Sequence, residues 1–379
     1  MTSDHLTLRT SLCDLLGIEY PILQSGMGLI AGTDLVASVC ESGGLGIIAG
    51  FMVPADKLRE AIRDVRIRTD RPFGVNLWLS ADLRPPSAGG DVSDDTIQSV
   101  QRVLNPVRAE LGLTPVITRP APPPDLVSGA LQVVLEERVP VLSIAVGNPG
   151  TELVAQCHGR GIKVITMVTT VAEALAVQAA GVDAVVAQGT EAGGHWAQFE
   201  KTLSPQHRGI GTMALIPQVV DALRIPVIAA GGIADGRGVI SAFALGASGV
   251  LMGTRFLATR ESMAFPSFKK AVVEESGDAT SVTDVFTGRY ARVLRNTFIE
   301  TYGQSKAPVL PFPWHYLVAG DIYRHAFAKD LRDYFPLVAG QSVGLIDNLP
   351  TAAEVVHSIV REARAVLQEK LEQHVKGGA

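Results

Sequence analysis

Two glycine-rich strand ends and one histidine stand out in this chain as residues whose type and spacing suit chemistry. The first end reads Ala229-Ala230-Gly231-Gly232 and leads into a helical stretch opening near Asp235, and the second reads Met252-Gly253-Thr254-Arg255. Paired glycines let backbone N–H groups come close to an anion, and a following helix N-terminus adds positive dipole. The same pairs also make plain tight turns, so the glycines alone do not decide between a phosphate cradle and a turn. Gln188-Gly189-Thr190-Glu191-Ala192-Gly193-Gly194-His195 forms a further segment. A histidine after such a turn can be held over a ligand, and an ordinary pKa near 6.5 suits proton transfer. Near the start, the backbone at Met27 and Gly28 can approach a planar ring, and the Asn76 amide can both donate to and accept from its edge. Met27 also reads as a flexible core filler.

Positioning these groups falls to eight short apolar runs, at 21–27, 45–50, 73–79, 139–147, 163–169, 184–189, 226–232 and 249–254. Stretches with helical period separate them, such as TDLVASVCESGG and VAEALAVQAAG. Consecutive apolar strands joined by single helices imply a parallel sheet, and eight units close into an α/β (β/α)8 TIM barrel. In such a barrel the loops after strands 7 and 8 commonly bind phosphate, and His195 falls at the C-terminal end of strand 6.

The expected organisation is a barrel over 10–79 and 136–262, an insert after strand 3 over 80–135, a mainly helical cap region over 263–348 and a C-terminal helix over 349–379. The insert places a helix near 95–111 between Pro-rich flanks, and it is expected to cover the mouth together with the cap. Thr351 and Glu354 form a capping box for the last helix. Its stripe of Val355, Val356, Ile359, Val360, Val366, Leu367 and Leu371 would pack on the barrel or in a homodimer.

The net charge of −5, from 33 basic and 38 acidic residues, offers no basic stripe for nucleic acid. No run reaches the length of a membrane span, and the N-terminus lacks a signal-peptide core, which together point to a cytoplasmic protein. Cys13, Cys40 and Cys157 lie far apart and suggest neither disulfides nor a metal site. His5, His158, His207, His357 and His374 sit in polar contexts and read as solvated.

PILQSGMG, SGGLGIIAG, GVNL, QGTEAGGH, IPVIAAGGI and GVLMGTRF occur in this order, and the chain over about residues 10–260 resembles the nitronate monooxygenase family. That family, once called 2-nitropropane dioxygenases, includes FMN-dependent enoyl-(acyl carrier protein) reductases. The resemblance implies FMN as cofactor, His195 as catalytic acid/base, and flavin contacts at Met27, Gly28, Asn76, Gln188, Gly193 and Gly194. It places the phosphate on Gly231, Gly232, Gly253 and Thr254. Trp196 follows the histidine where many members carry a smaller pair, which is expected to reshape the mouth. The implied reaction is oxidation of alkyl nitronates, or of nitroalkanes, by O2 to carbonyl compounds and nitrite. The alternatives are reduction of an enoyl thioester with NAD(P)H and a non-catalytic flavin-binding scaffold. For the reductase, cations in 66–74 and 201–209 could meet a pantetheine phosphate, or stand simply solvated.

Overall fold

Strands covered on both faces have no use for polar alternation, and the eight apolar runs all become parallel strands. The structure is a computed structural model and describes residues 8–80, 92–121, 125–199 and 209–370. His5, the Pro-rich run at 84–90, Pro122 to Pro124, most of the 201–209 segment with His207, Leu371 and His374 lie outside the described residues.

From α1 (Ser11–Leu16) the chain runs β1 (Ile22–Gln24), α2 (Thr33–Glu41), β2 (Ile47–Ala49), α3 (Ala55–Arg68), β3 (Gly74–Trp78), α4 (Asp94–Glu110), α5 (Leu126–Glu136) and β4 (Val141–Val146). It continues through α6 (Gly150–His158), β5 (Lys163–Val168), α7 (Val171–Ala179), β6 (Ala184–Gln188), β7 (Gly194–His195), α8 (Thr212–Ala222), β8 (Val227–Ala230), α9 (Gly236–Ala244) and β9 (Gly249–Met252). The remainder is α10 (Thr254–Leu257), α11 (Pro266–Glu274), β10 (Thr280–Thr283), β11 (Ala291–Leu294), α12 (Thr297–Gln304), α13 (Trp314–Ala328) and α14 (Ala352–Ala365).

The large sheet has the order β1-β9-β8-β6-β5-β4-β3-β2. Its ends meet through a parallel bridge between Leu23 and Leu45, where Gln24 N donates to Leu45 O at 2.9 Å. That closes the TIM barrel. Leu23, Ile47, Val141, Ile165, Val186, Ile228 and Leu251 fill its interior, and Leu12 and Leu16 of α1 join the same core.

The last βα unit carries the main elaboration. Between β9 and α14 the chain builds a cap with its own core, to which α4 contributes Ile97, Val100, Leu104 and Val107. Fully buried Arg108 of α4 anchors this docking, with Nε 2.7 Å and Nη2 3.1 Å from the two oxygens of Asp321 on α13. The chain then returns as α14, whose Val355, Val356, Ile359 and Val360 are buried against α9 and α2. It thereby occupies the place of the barrel's eighth helix, and its capping box of Thr351 and Glu354 is formed. A small antiparallel sheet, β10-β11-β7, ties the cap to the barrel mouth. Among the described residues no helix is long and apolar enough to cross a membrane.

Candidate active site

Successive residues of a strand face opposite ways, so the pleat decides which side chains reach the barrel mouth. In β3, Val75 and Leu77 join the core beneath the helices, which turns Asn76 and Trp78 inward. Asn76 Nδ2 donates to Ser143 Oγ on β4 at 3.1 Å, leaving its carbonyl and second N–H for another partner. Gly26 packs on this amide so closely that a Cβ there would lie 2.5 Å from Asn76 Cβ.

The glycines of the mouth divide into two groups. Gly28 and Gly194 have open space where a Cβ would stand, and one on Gly232 or Gly253 would come nearest to Glu191 Cβ at 3.4 Å and Met27 Sδ at 3.5 Å respectively, ordinary contacts. Register places Gly232 beside Gly253, because Ala230 pairs with Leu251 in adjoining β8 and β9. The two backbones carry no side chains there, which is what close approach of an anion requires, and the φ of +73° at Gly232 is one that glycine adopts without strain. Gly193 and Gly231 belong to the protein's own packing. A Cβ on Gly193 would collide with Gly340 N and the Ala339 carbonyl carbon, and one on Gly231 would lie 3.0 Å from Thr212 Oγ1 and Ala192 N. Thr254 Oγ1 accepts from Gly340 N at 2.9 Å, which leaves its hydroxyl proton available to an anion.

His195 sits on β7, where residues 194 and 195 pair with Arg292 and Ala291 of β11, and Trp196 N donates to Tyr290 O at 3.2 Å. Gln188 steadies the same loop from the barrel side: Nε2 donates to His195 O at 3.1 Å and Oε1 accepts from Ala197 N at 2.8 Å. The imidazole Nε2 lies 2.8 Å from Thr287 Oγ1. That hydroxyl is also 3.2 Å from Arg289 O and 3.3 Å from Arg289 N. A hydroxyl proton donated to Arg289 O lets the Thr287 oxygen accept from His195 Nε2–H, the arrangement that leaves a lone pair on Nδ1. Nδ1 has no hydrogen-bond partner among the described residues.

Protein surrounds the ring while leaving an accessible edge. Trp78 stands edge-on at 5.0 Å between centroids and Phe312 at 6.4 Å. Burial, reinforced by the positive charge of Arg289, pushes the His195 pKa down to about 3. The imidazole is therefore neutral near pH 7.

Some neighbours of the histidine escaped the sequence reading. Trp78 carried a usable signal, since it lies two residues beyond Asn76 on the same face of β3. Thr287 and Phe312 come from the cap, more than 90 residues downstream of His195, and no local pattern marks them. Trp196 is buried, and its Nε1 has no partner among the described residues. His315 is sealed in the cap, where Nδ1 accepts from Leu310 N at 3.2 Å and burial lowers its pKa to about 4. His158 pairs instead with Asp183 at 2.9 Å. All three cysteines are free and buried, and burial raises Cys40 to about 12 and Cys157 to about 11. Among the described residues no group of three or more His, Cys, Asp or Glu is placed to hold a metal ion.

Comparison with known proteins agrees with this architecture. The family model described as nitronate monooxygenase matches residues 9–362. The "Probable nitronate monooxygenase" of Staphylococcus haemolyticus is 39% identical over 331 residues, covering 87% of this chain and 90% of that protein. Its namesake in Staphylococcus saprophyticus is 35% identical over 96% of this chain and 99% of that one. Among solved structures, nitroalkane oxidase from Streptomyces ansochromogenes superimposes with a TM-score of 0.84 at 33% identity, over 95% of this chain and all of that one. FabK from Thermotoga maritima gives 0.74 at 34% identity, over 97% of this chain and all of that one. The chain belongs to the nitronate monooxygenase family and is an oxidoreductase.

Proposed function

We propose that this enzyme oxidises alkyl nitronates with O2 to carbonyl compounds and nitrite, using FMN and His195. The observation that carries this reading is a histidine held neutral beside the positive charge of Arg289 at the mouth of the barrel. A neutral imidazole next to a cation suits an anionic head group. Acting as a proton donor to an enolate would require a protonated imidazole, which the same surroundings disfavour. Gly232, Gly253 and Thr254 would hold the phosphate, with Gly28, Asn76 and Gly194 around the ring system. Bound there, FMN supplies the redox chemistry.

The residues of the chain do the rest. Trp78 and Phe312 exclude water from the imidazole, and Thr287 fixes its tautomer. Nδ1 then accepts the α-proton when a neutral nitroalkane is presented, while a preformed nitronate has no such proton to give. A base with so low a pKa is a weak one, so preformed nitronates, which have already lost that proton, are the better substrates.

The likeness to FabK favours a second reading, reduction of an enoyl thioester with NAD(P)H. Against it, two of the arginines expected to meet a thioester phosphate are already engaged, while 201–208 lie outside the described residues. Arg66 reaches Glu137 at 2.8 Å, while Arg68 meets Asp34 at 2.8 Å and Asp64 at 3.0 Å. Anaerobic mixing of the FMN-loaded protein with a nitronate, NADH or NADPH decides between the two. Bleaching of the flavin by nitronate alone supports the oxidase. Bleaching only by a nicotinamide supports the reductase.

A further inference from the structure

A short segment of the cap, Leu337 to Gln341, reaches three separate parts of the mouth. On one side it lies along β11, where Leu294 N donates to Leu337 O at 2.9 Å and Val293 bridges Val338. On the other, Gln341 N donates to Glu191 O at 2.9 Å, in the loop that carries His195. Between these attachments Gly340 N donates to Thr254 Oγ1 at 2.9 Å, just beyond β9. Ala339 and Gly340 are both buried there.

Gly340 and Gly193 meet without side chains on either. A Cβ on Gly340 would stand 2.7 Å from Glu191 O and 2.8 Å from Gly193 N, and one on Gly193 would collide with Gly340 N and lie 2.5 Å from the Ala339 carbonyl carbon. All of these are backbone atoms, so no side chain can swing aside to make room. Neither glycine has a positive φ, and close approach is therefore what glycine serves at both places.

The bond to Thr254 also decides how its hydroxyl points. With the Gly340 N–H on one lone pair, the hydroxyl proton is turned away from the cap, and among the described residues it has no acceptor. An anion beside Gly232 and Gly253 would supply one.

Resting on the reading of the mouth as an FMN site, we propose that Gly340 is a positioning residue for both halves of the site. Its N–H turns the Thr254 hydroxyl toward the cofactor phosphate, and its bare Cα seats the loop that carries His195. Recognition of the phosphate and placement of the histidine are then one fit made by the cap, and a shift of this segment disturbs both.

The test titrates protein stripped of flavin with FMN and with riboflavin, which has the same ring and ribityl chain but no phosphate. The ratio of the two Kd values is the preference for FMN. Gly340→Ala should lower that preference by about 10- to 100-fold, the scale of one hydrogen bond to a charged group. Thr254→Val should lower it by a similar factor, and the double variant no further than either alone, because both remove the same bond. Gly193→Ala makes the collision from the loop side, so it should lower the preference too, and it carries the test if Gly340→Ala does not fold. Asp321→Ala loosens the cap elsewhere and should leave the preference at its wild-type value. A wild-type preference in folded Gly340→Ala, in Gly193→Ala or in Thr254→Val overturns the proposal, as does additive loss in the double variant. So does an equal fall in Asp321→Ala, which would make any loosening of the cap sufficient. Failure of the wild type to prefer FMN overturns the FMN reading itself, and the positioning role with it. Nitrite release does not enter these measurements, so the question of substrate is decided separately.

Discussion

Gln188 holds His195 by its backbone and not by its ring: the amide of the last β6 residue donates to the His195 carbonyl at 3.1 Å and accepts from Ala197 N at 2.8 Å. One side chain thus sets the height of the His195 loop above the barrel. Gln188→Ala leaves a buried N–H and a buried carbonyl without partners, which costs about 1–3 kcal/mol. We expect a lower urea midpoint and a kcat/KM reduced by about 10- to 100-fold, the scale on which misplaced catalytic groups act. An unchanged kcat/KM would mean that the loop is held well enough by β11 alone.

Thr287 acts on the ring. Thr287→Val removes the acceptor for Nε2–H and releases the tautomer, so oxidation of a neutral nitroalkane should fall more than oxidation of its preformed nitronate. Thr287→Ser should restore the ratio. The comparison of kcat/KM on both substrate forms checks this, and equal losses on the two would assign Thr287 a purely structural part.

The cap is pinned to the insert through Arg108 and Asp321. Asp321→Ala takes the carboxylate from a fully buried guanidinium that keeps Asn105 Oδ1 and Val318 O, and with Asp321 itself a third exposed the loss should be about 1–3 kcal/mol. Urea unfolding should therefore show an early transition for the cap ahead of the barrel. A single transition at the wild-type midpoint would contradict the pairing.

Protonation of buried histidines should make the fold acid-sensitive. His195 and His315 have folded pKa values of about 3 and about 4, both below the ordinary 6.5. Between those limits the unfolded chain takes up protons that the folded chain refuses, so this stability is fully present above pH 6.5 and is lost as the pH falls toward 3 to 4. His315→Phe should lessen the slope of stability against pH between 6.5 and 4 by about 1.4 kcal/mol per unit, one proton's worth. Urea midpoints of the two proteins at pH 7 and pH 5 measure it, and parallel slopes would show that His315 titrates normally.

The barrel was readable because its signals are local. Ile22, Ile47, Val141 and Ile228 belong to apolar runs punctuated by glycine, and Thr351 with Glu354 announces a helix start within four residues. The site was only half readable, because its second half comes from the cap. Nothing near Thr287 or Phe312 shows that they will meet His195, since β11 must first pair with β7. Gly193 carries a second constraint that no local pattern shows: a Cβ there would collide with Gly340, on a segment almost 150 residues away. The stripe of the last helix, α14, left open whether it would pack on the barrel or in a homodimer, because the cap separates it from β9; it packs on α9 and α2, where an eighth barrel helix would lie.

The central claim is nitronate oxidation assisted by His195, and nitrite release by FMN-loaded wild type and His195→Asn tests it most directly. Each enzyme is given butyl nitronate and, separately, neutral 1-nitrobutane in the presence of O2. The account predicts that wild type forms nitrite from the nitronate and that the variant keeps its fold and FMN. Activity of the variant on the nitroalkane should fall by about 10²- to 10⁴-fold, the usual share of a general base, with a smaller loss on the nitronate. Equal nitrite release by both enzymes from both substrates, at full FMN loading, would remove His195 from the mechanism.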